Sequence, residues 1–105
     1  MNEIIAVLVT IPEKKAKTLA NTLLKEKVCA CINIVQRVKS LFWWKGKITS
    51  EQEALLIIKT KKILFPKLKK MIKDNHPYEV PEIIALDATG VNRKYKKWLI
   101  SEVKK

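Results

Sequence analysis

Ile4-Ile5-Ala6-Val7-Leu8-Val9 is apolar at every position, odd and even alike. Successive side chains of a strand point to opposite faces, so a strand with this sequence needs cover on both. Leu55-Leu56-Ile57-Ile58 repeats the feature. These two runs are read as strands to be buried on both faces, and the rest of the chain is read by asking what could cover them.

Between the runs the period changes. Ala16, Leu19, Ala20, Leu23 and Leu24 recur at the spacing of a single helical face, with Lys14, Lys15, Lys17 and Lys25 off it. Thr10 with Glu13 three residues on reads as a capping box, and Pro12 falls in the first turn, where a missing N–H is harmless. Val28 to Val38 is a further β-rich run. Ser40 to Trp44 carries it toward a turn at Lys45-Gly46-Lys47, with Gly46 supplying the positive φ. The return strand holds Ile48 and then Ala54 to Ile58, so the second and third strands make a long hairpin. Leu64, Leu68, Met71 and Ile72 form the next helical stripe, with Pro66 in its first turn and Asn75-His76-Pro77 at its end. Pro77 and Pro81 hold His76 to Glu82 extended before a last strand at Ile83 to Leu86. Tyr95, Trp98, Leu99 and Val103 then predict a C-terminal helix capped by Asn92.

The order β-α-β-β-α-β-α predicts an α+β, ferredoxin-like βαββαβ fold with an extra C-terminal helix: a four-stranded antiparallel sheet with helices on one face. Helices on one side cannot bury both faces of the sheet. Sheets from several copies are therefore expected to pack together in a closed homo-oligomer.

The 105 residues suit a single domain, residues 1–105, and 48% hydrophobic residues suffice for a core. A formal charge of +12 raises the question of nucleic acid. Yet 20 of the 22 basic residues are Lys, with Arg only at 37 and 93, so the bidentate forks used in base readout are scarce. The lysines fall mainly on the polar sides of the helices, and a nucleic-acid partner is not expected. Nor is a membrane: no run approaches the ~20 apolar residues of a span, and Met1-Asn2-Glu3 lacks the basic start of a leader. Two closely spaced cysteines do not make a secreted disulfide framework, and a cytoplasmic location is expected.

The chemistry on offer is narrow. One histidine and no Gly-x-Ser-x-Gly string argue against a hydrolase, and two separated glycines make no phosphate loop. Cys29 and Cys31, two apart on a strand, are expected on one face, where two thiolates could hold a soft ion; core packing is the more ordinary role. His76 closes the second helix with Glu79 and Glu82 nearby, and reads either as a metal ligand or as a helix-end histidine on the last carbonyls. Phe42-Trp43-Trp44 at the hairpin end reads as a subunit contact in preference to a base-stacking platform.

Ala30-Cys31-Ile32-Asn33-Ile34, Trp44-Lys45-Gly46-Lys47, Ile58-Lys59-Thr60 and above all His76-Pro77-Tyr78-Glu79-Val80-Pro81-Glu82-Ile83 resemble the CutA family of divalent-ion tolerance proteins. The likeness runs from Val7-Leu8-Val9-Thr10 to Trp98-Leu99. It implies a homotrimer whose hairpins reach across neighbouring subunits, with Trp43 and Trp44 in the interface, and an assembly similar in outline to the nitrogen-regulatory PII proteins. It also implies a non-enzymatic role in tolerance of divalent metal, copper foremost, with the metal not needed for folding. The ligand set proposed for bacterial members carries over only in part: Val9 stands where they can have Cys, and Asn75-His76 where they can have His-His. His76 is then the metal candidate, with Cys31 and Cys29 behind it. The alternative is a PII-like signalling module that binds a small anionic ligand in a subunit cleft, with Lys59, Lys61 and Tyr78 as contacts.

Overall fold

The opening apolar run becomes the inner strand β1 (Ile4–Ile11) of a computed structural model that describes residues 3–104. The first two residues of the leader reading, Met1-Asn2, lie outside the described residues. On one side β1 pairs with β3 (Lys47–Lys61), which pairs in turn with β2 (Cys31–Trp44); on the other it pairs with β4 (Ile84–Asp87). All three pairings are antiparallel. Helices α1 (Glu13–Lys25), α2 (Phe65–Asp74) and α3 (Arg93–Glu102) complete the chain, with a 3₁₀ turn at Lys62–Leu64 leading into α2. The element order is the expected β-α-β-β-α-β-α.

Register sorts the apolar residues. Ile5, Val7, Val9 and Ile11 stand opposite Thr60, Ile58, Leu56 and Ala54, and all eight are buried. With Ala16, Leu19 and Leu23 of α1 and Leu68 and Ile72 of α2, the apolar members form one core. Each fully buried Leu, Ile or Val contributes about 1.5–3 kcal/mol, which is what clamps α1 and α2 to this face. The other parity puts Leu8 opposite both Ile57 and Ile84, with Val35 opposite Leu55 and Leu86 opposite Ala6. On that face Leu8, Leu55 and Ile57 are half-buried, while Val35, Ile84 and Leu86 are exposed. Helix α3 packs against β3 and buries Leu99, away from the main core.

Beyond Ala54, β3 has lost β1 and pairs with β2 alone, so Val38–Trp44 and Lys47–Glu53 form a two-stranded ribbon. Its turn has Lys45 at φ 50° and Gly46 at φ 78°, the mirror-image form whose twist matches the strands. A bulge between Val35 and Val38, with Arg37 at φ 56°, bends β2 where the ribbon leaves the sheet.

Four local expectations are corrected. Thr10 does not cap α1: it pairs with Leu55, and the ladder runs on through Ile11. Pro12 takes the cap position without a side-chain bond, and the Glu13 carboxylate instead accepts the backbone N–H of Arg37 at the bulge. Pairing with β3 outcompetes a local cap. The second strand begins at Cys31 rather than Val28, because Val28 gives its carbonyl to the buried Thr60 hydroxyl at 2.7 Å and breaks the regular path. Cys29 and Cys31 consequently part company: Cys29 joins the helix-side core, while Cys31 shares its parity with Asn33, opposite to Ile32 and Ile34, which pack on that core. The last strand is shifted to Ile84–Asp87.

The cap of α3 is as read. The Asn92 side-chain oxygen accepts from the Lys94 and Tyr95 amides at 3.0 and 3.5 Å. Asn92→Ala should therefore lower stability by about 1 kcal/mol, and Asn92→Asp should retain most of it, measured by urea unfolding at fixed protein concentration.

Candidate functional site

The ribbon would be unsupported if the irregular segment 76–82 did not run beneath it. Ser40, Phe42 and Trp44 of β2 share a face with Thr49, Glu51 and Glu53 of β3, as the cross-strand pairs Ser40–Glu51 and Phe42–Thr49 require. That face and Pro77-Tyr78-Glu79-Val80-Pro81-Glu82 enclose an open groove of about 830 Å³, with Thr10 at its inner end. The segment is not extended as expected but bends through Pro77–Val80, where the Tyr78 amide folds back onto the His76 ring; Pro77 and Pro81 still exclude a helix, so side chains line the groove.

His76 anchors this segment. The Tyr78 amide N–H donates to His76 Nδ1 at 3.1 Å, and an amide can only donate, so Nδ1 is the acceptor. Nε2 then carries the proton and donates it to the Thr10 carbonyl at 2.8 Å. Both ring nitrogens are thus used inside the chain, and the imidazole ties the segment to β1. To ligate a metal it would have to give up one of these bonds.

Tyr78 lies 4.9 Å from the His76 ring, centroid to centroid, and its hydroxyl donates to Glu53 Oε2 at 2.7 Å. Glu53 is only 3% exposed, so this bond matters: a buried carboxylate without a donor is strongly disfavoured. Burial, the Glu53 bond and the charges of Glu53 and Glu51 together hold the Tyr78 phenol well above its ordinary range. Burial and then the Glu53 charge likewise raise the Glu82 carboxyl. The groove is therefore acidic and partly aromatic, in a chain whose formal charge is +12.

The other predicted residues are dispersed. Lys59 and Lys61 lie toward the far end of β3, on the open parity, so the structure does not bring them to Tyr78 within one chain. The two tryptophans divide: Trp44 lines the groove, whereas Trp43, opposite Ile48, faces the other way and is 72% exposed. Burial, and then Cys31, push the Cys29 thiol up to about 12, which leaves it protonated and poor as a ligand. Among the described residues no three His, Cys, Asp or Glu side chains come together as a ligand set. A coordination shell drawn from one chain alone does not fit these residues. Glu51 and Glu53 were not singled out from the sequence; their signal was the polar alternation Thr49, Glu51, Glu53 on one strand face.

Tyr78→Phe should leave Glu53 without its donor and lower stability by about 1–3 kcal/mol, a loss that should shrink in Tyr78→Phe/Glu53→Gln; a urea double-mutant cycle reads it. Glu82 gives a pH signature. Its carboxyl is raised in the folded state, so its contribution is fully present below the unfolded value of 4.5 and is lost as pH rises through the folded value. Glu82→Gln should match the wild type in acid and become the more stable of the two as pH rises toward neutrality, in thermal melts across that range.

Against known proteins, the family model described as "CutA1 divalent ion tolerance protein" matches residues 5–102. The chain is 49% identical over 96 residues to the chloroplastic protein CutA 1 of Oryza sativa subsp. japonica, covering 90% of this chain and 54% of that protein. It thus spans about half the length of that plant relative. The divalent-cation tolerance protein CutA of Thermus thermophilus is 47% identical over 94 residues, 89% of this chain and 91% of that one. A crystal structure of CutA1 from Oryza sativa superimposes with a TM-score of 0.96 at 43% identity, over 98% of this chain and 95% of that one. With nearly the whole chain matched in sequence and fold alike, this chain belongs to the CutA1 divalent ion tolerance family.

Proposed function

We propose that this protein acts in divalent-cation tolerance as a non-enzymatic homotrimer in the cytoplasm, holding cations, copper among them, weakly at the carboxylate groove. The observation that carries the reading is the convergence of Glu51, Glu53, Glu79 and Glu82 on one groove of an otherwise strongly basic chain. Carboxylates lining one groove attract cations, and with no ligand set preformed among the described residues the attraction is loose. His76 serves by position, holding segment 76–82 against Thr10.

The trimer reading is supported by the apolar parity of the sheet and by the hairpin. Leu41, Trp43 and Ile48 are each at least 66% exposed on the isolated chain. A two-stranded ribbon with such residues outside gains stability when another surface covers it. The two free cysteines suit a reducing compartment.

Calorimetric titration of Cu²⁺ tests the cation site. Glu51→Gln/Glu79→Gln should weaken binding roughly tenfold, about 1.4 kcal/mol. Unchanged affinity in that variant overturns the groove as the cation site, and an equal loss in His76→Ala would make the imidazole a ligand after all. Light scattering should give three times the chain mass, and a single-chain mass would defeat the trimer.

A further inference from the structure

The groove is built on a larger scale than a bare ion needs. A divalent metal gathers about six oxygen ligands at roughly 2.0–2.6 Å, whereas among the described residues no three ligating side chains come together. The groove instead encloses about 830 Å³, within the range of roughly 300–1,000 Å³ that small-molecule sites occupy. Phe42, Trp44 and Tyr78 line it beside the carboxylates. Their rings supply no ordinary ligand atom to a divalent metal, so metal coordination accounts for the carboxylates alone. The same rings attract an ammonium group, because the face of an aromatic ring is its negative side.

The chain itself shows this pairing. Lys45 Nζ lies over the Trp44 ring, 6.0 Å from its centroid, so one groove ring already presents a face to an ammonium. The carboxylates have no such partner: among the described residues Glu51, Glu53, Glu79 and Glu82 take part in no ion pair, although the chain carries 22 Lys and Arg. Glu53 has the Tyr78 hydroxyl, a neutral donor. These charges are also spread out. Glu51 and Glu53 stand about 7 Å apart along one strand face, and Glu79 and Glu82 belong to the segment that closes the groove. Separated carboxylates suit a ligand whose positive charges are separated too, joined by apolar links that lie against the rings.

We propose that the groove binds a linear aliphatic polyamine, its ammonium groups on the groove carboxylates and its methylene links against Phe42 and Trp44. This rests on the groove being a cation site, and it names an organic cation as the occupant. The formal charge of +12 repels such a ligand from the rest of the surface, so binding marks the one place where carboxylates and rings converge.

The test is calorimetric titration of spermidine at constant ionic strength, with Cu²⁺ titrated separately into the same proteins. Wild type should bind spermidine saturably, and butylamine, with a single charge, roughly tenfold more weakly. Trp44→Leu should weaken spermidine binding roughly fivefold and leave Cu²⁺ affinity unchanged, because it removes a ring and no carboxylate. Glu51→Gln/Glu79→Gln should weaken both. Glu102→Gln, at an exposed carboxylate of α3 outside the groove, should bind spermidine as wild type does. If Trp44→Leu does not fold or loses oligomer mass in light scattering, Phe42→Leu supplies the same comparison on the same strand face. A wild type that does not bind spermidine overturns the polyamine, as does butylamine binding equally well. Spermidine binding undiminished in the ring variants, or in Glu51→Gln/Glu79→Gln, places the ligand elsewhere and also overturns it. If spermidine fails while Cu²⁺ binding still falls in Glu51→Gln/Glu79→Gln, the cation groove stands without the polyamine; if Cu²⁺ is indifferent as well, both fall.

Discussion

The ladder between Ile4–Ile11 and Ala54–Lys61 is the constraint on which the rest depends. Side chains alternate along a strand, so this one pairing decides which apolar residues meet α1 and α2 and which remain on the open side. A slip of one residue would exchange the two sets. The same ladder ends at Ala54, where β1 stops, and that end creates the site: the ribbon runs on without a neighbour, and segment 76–82 lies under it, anchored by His76 to Thr10 on the last turn of the ladder. Glu53, the first residue beyond the pairing, is where sheet gives way to groove.

Strand β3 is consequently polarised. Its early part carries Glu51 and Glu53 toward an aromatic-lined groove, and its final residues carry Lys59 and Lys61 on the same parity. The formal charge of +12 describes neither end. Most of it resides in helix-surface lysines such as Lys67, Lys69 and Lys73, which are exposed or nearly so and serve mainly to keep the chain solvated. At the early end the buried charge is paired, Glu53 with the Tyr78 hydroxyl.

Much of the fold was legible in the residues. The change from continuous apolar runs to helical stripes located every element, Gly46 marked the turn and Asn92 the cap. The errors were local and share one cause. Thr10 reads as a cap by its neighbours, but the ladder uses it as a strand residue; Val28 reads as strand, but Thr60, 32 residues away, takes its carbonyl. Cys29 and Cys31 were expected on one face for the same reason, since a period of two holds only while the strand is regular. In the candidate site, the string His76 to Glu82 was conspicuous, but the work of His76 was not, because its bond to the Thr10 carbonyl depends on where β1, 66 residues away, comes to lie.

By itself the sequence determined the element order, the antiparallel α+β architecture and the surplus of apolar strand faces, since these follow from periodicity and local chemistry. Only the tertiary structure decided which polar groups meet: that the His76 imidazole is anchored on the Thr10 carbonyl and that Glu53 is buried under Tyr78. The Thr10–His76 and Glu53–Tyr78 pairings join residues 66 and 25 positions apart, and no local preference specifies them. They arise because packing one face of the sheet fixes the positions of all the others.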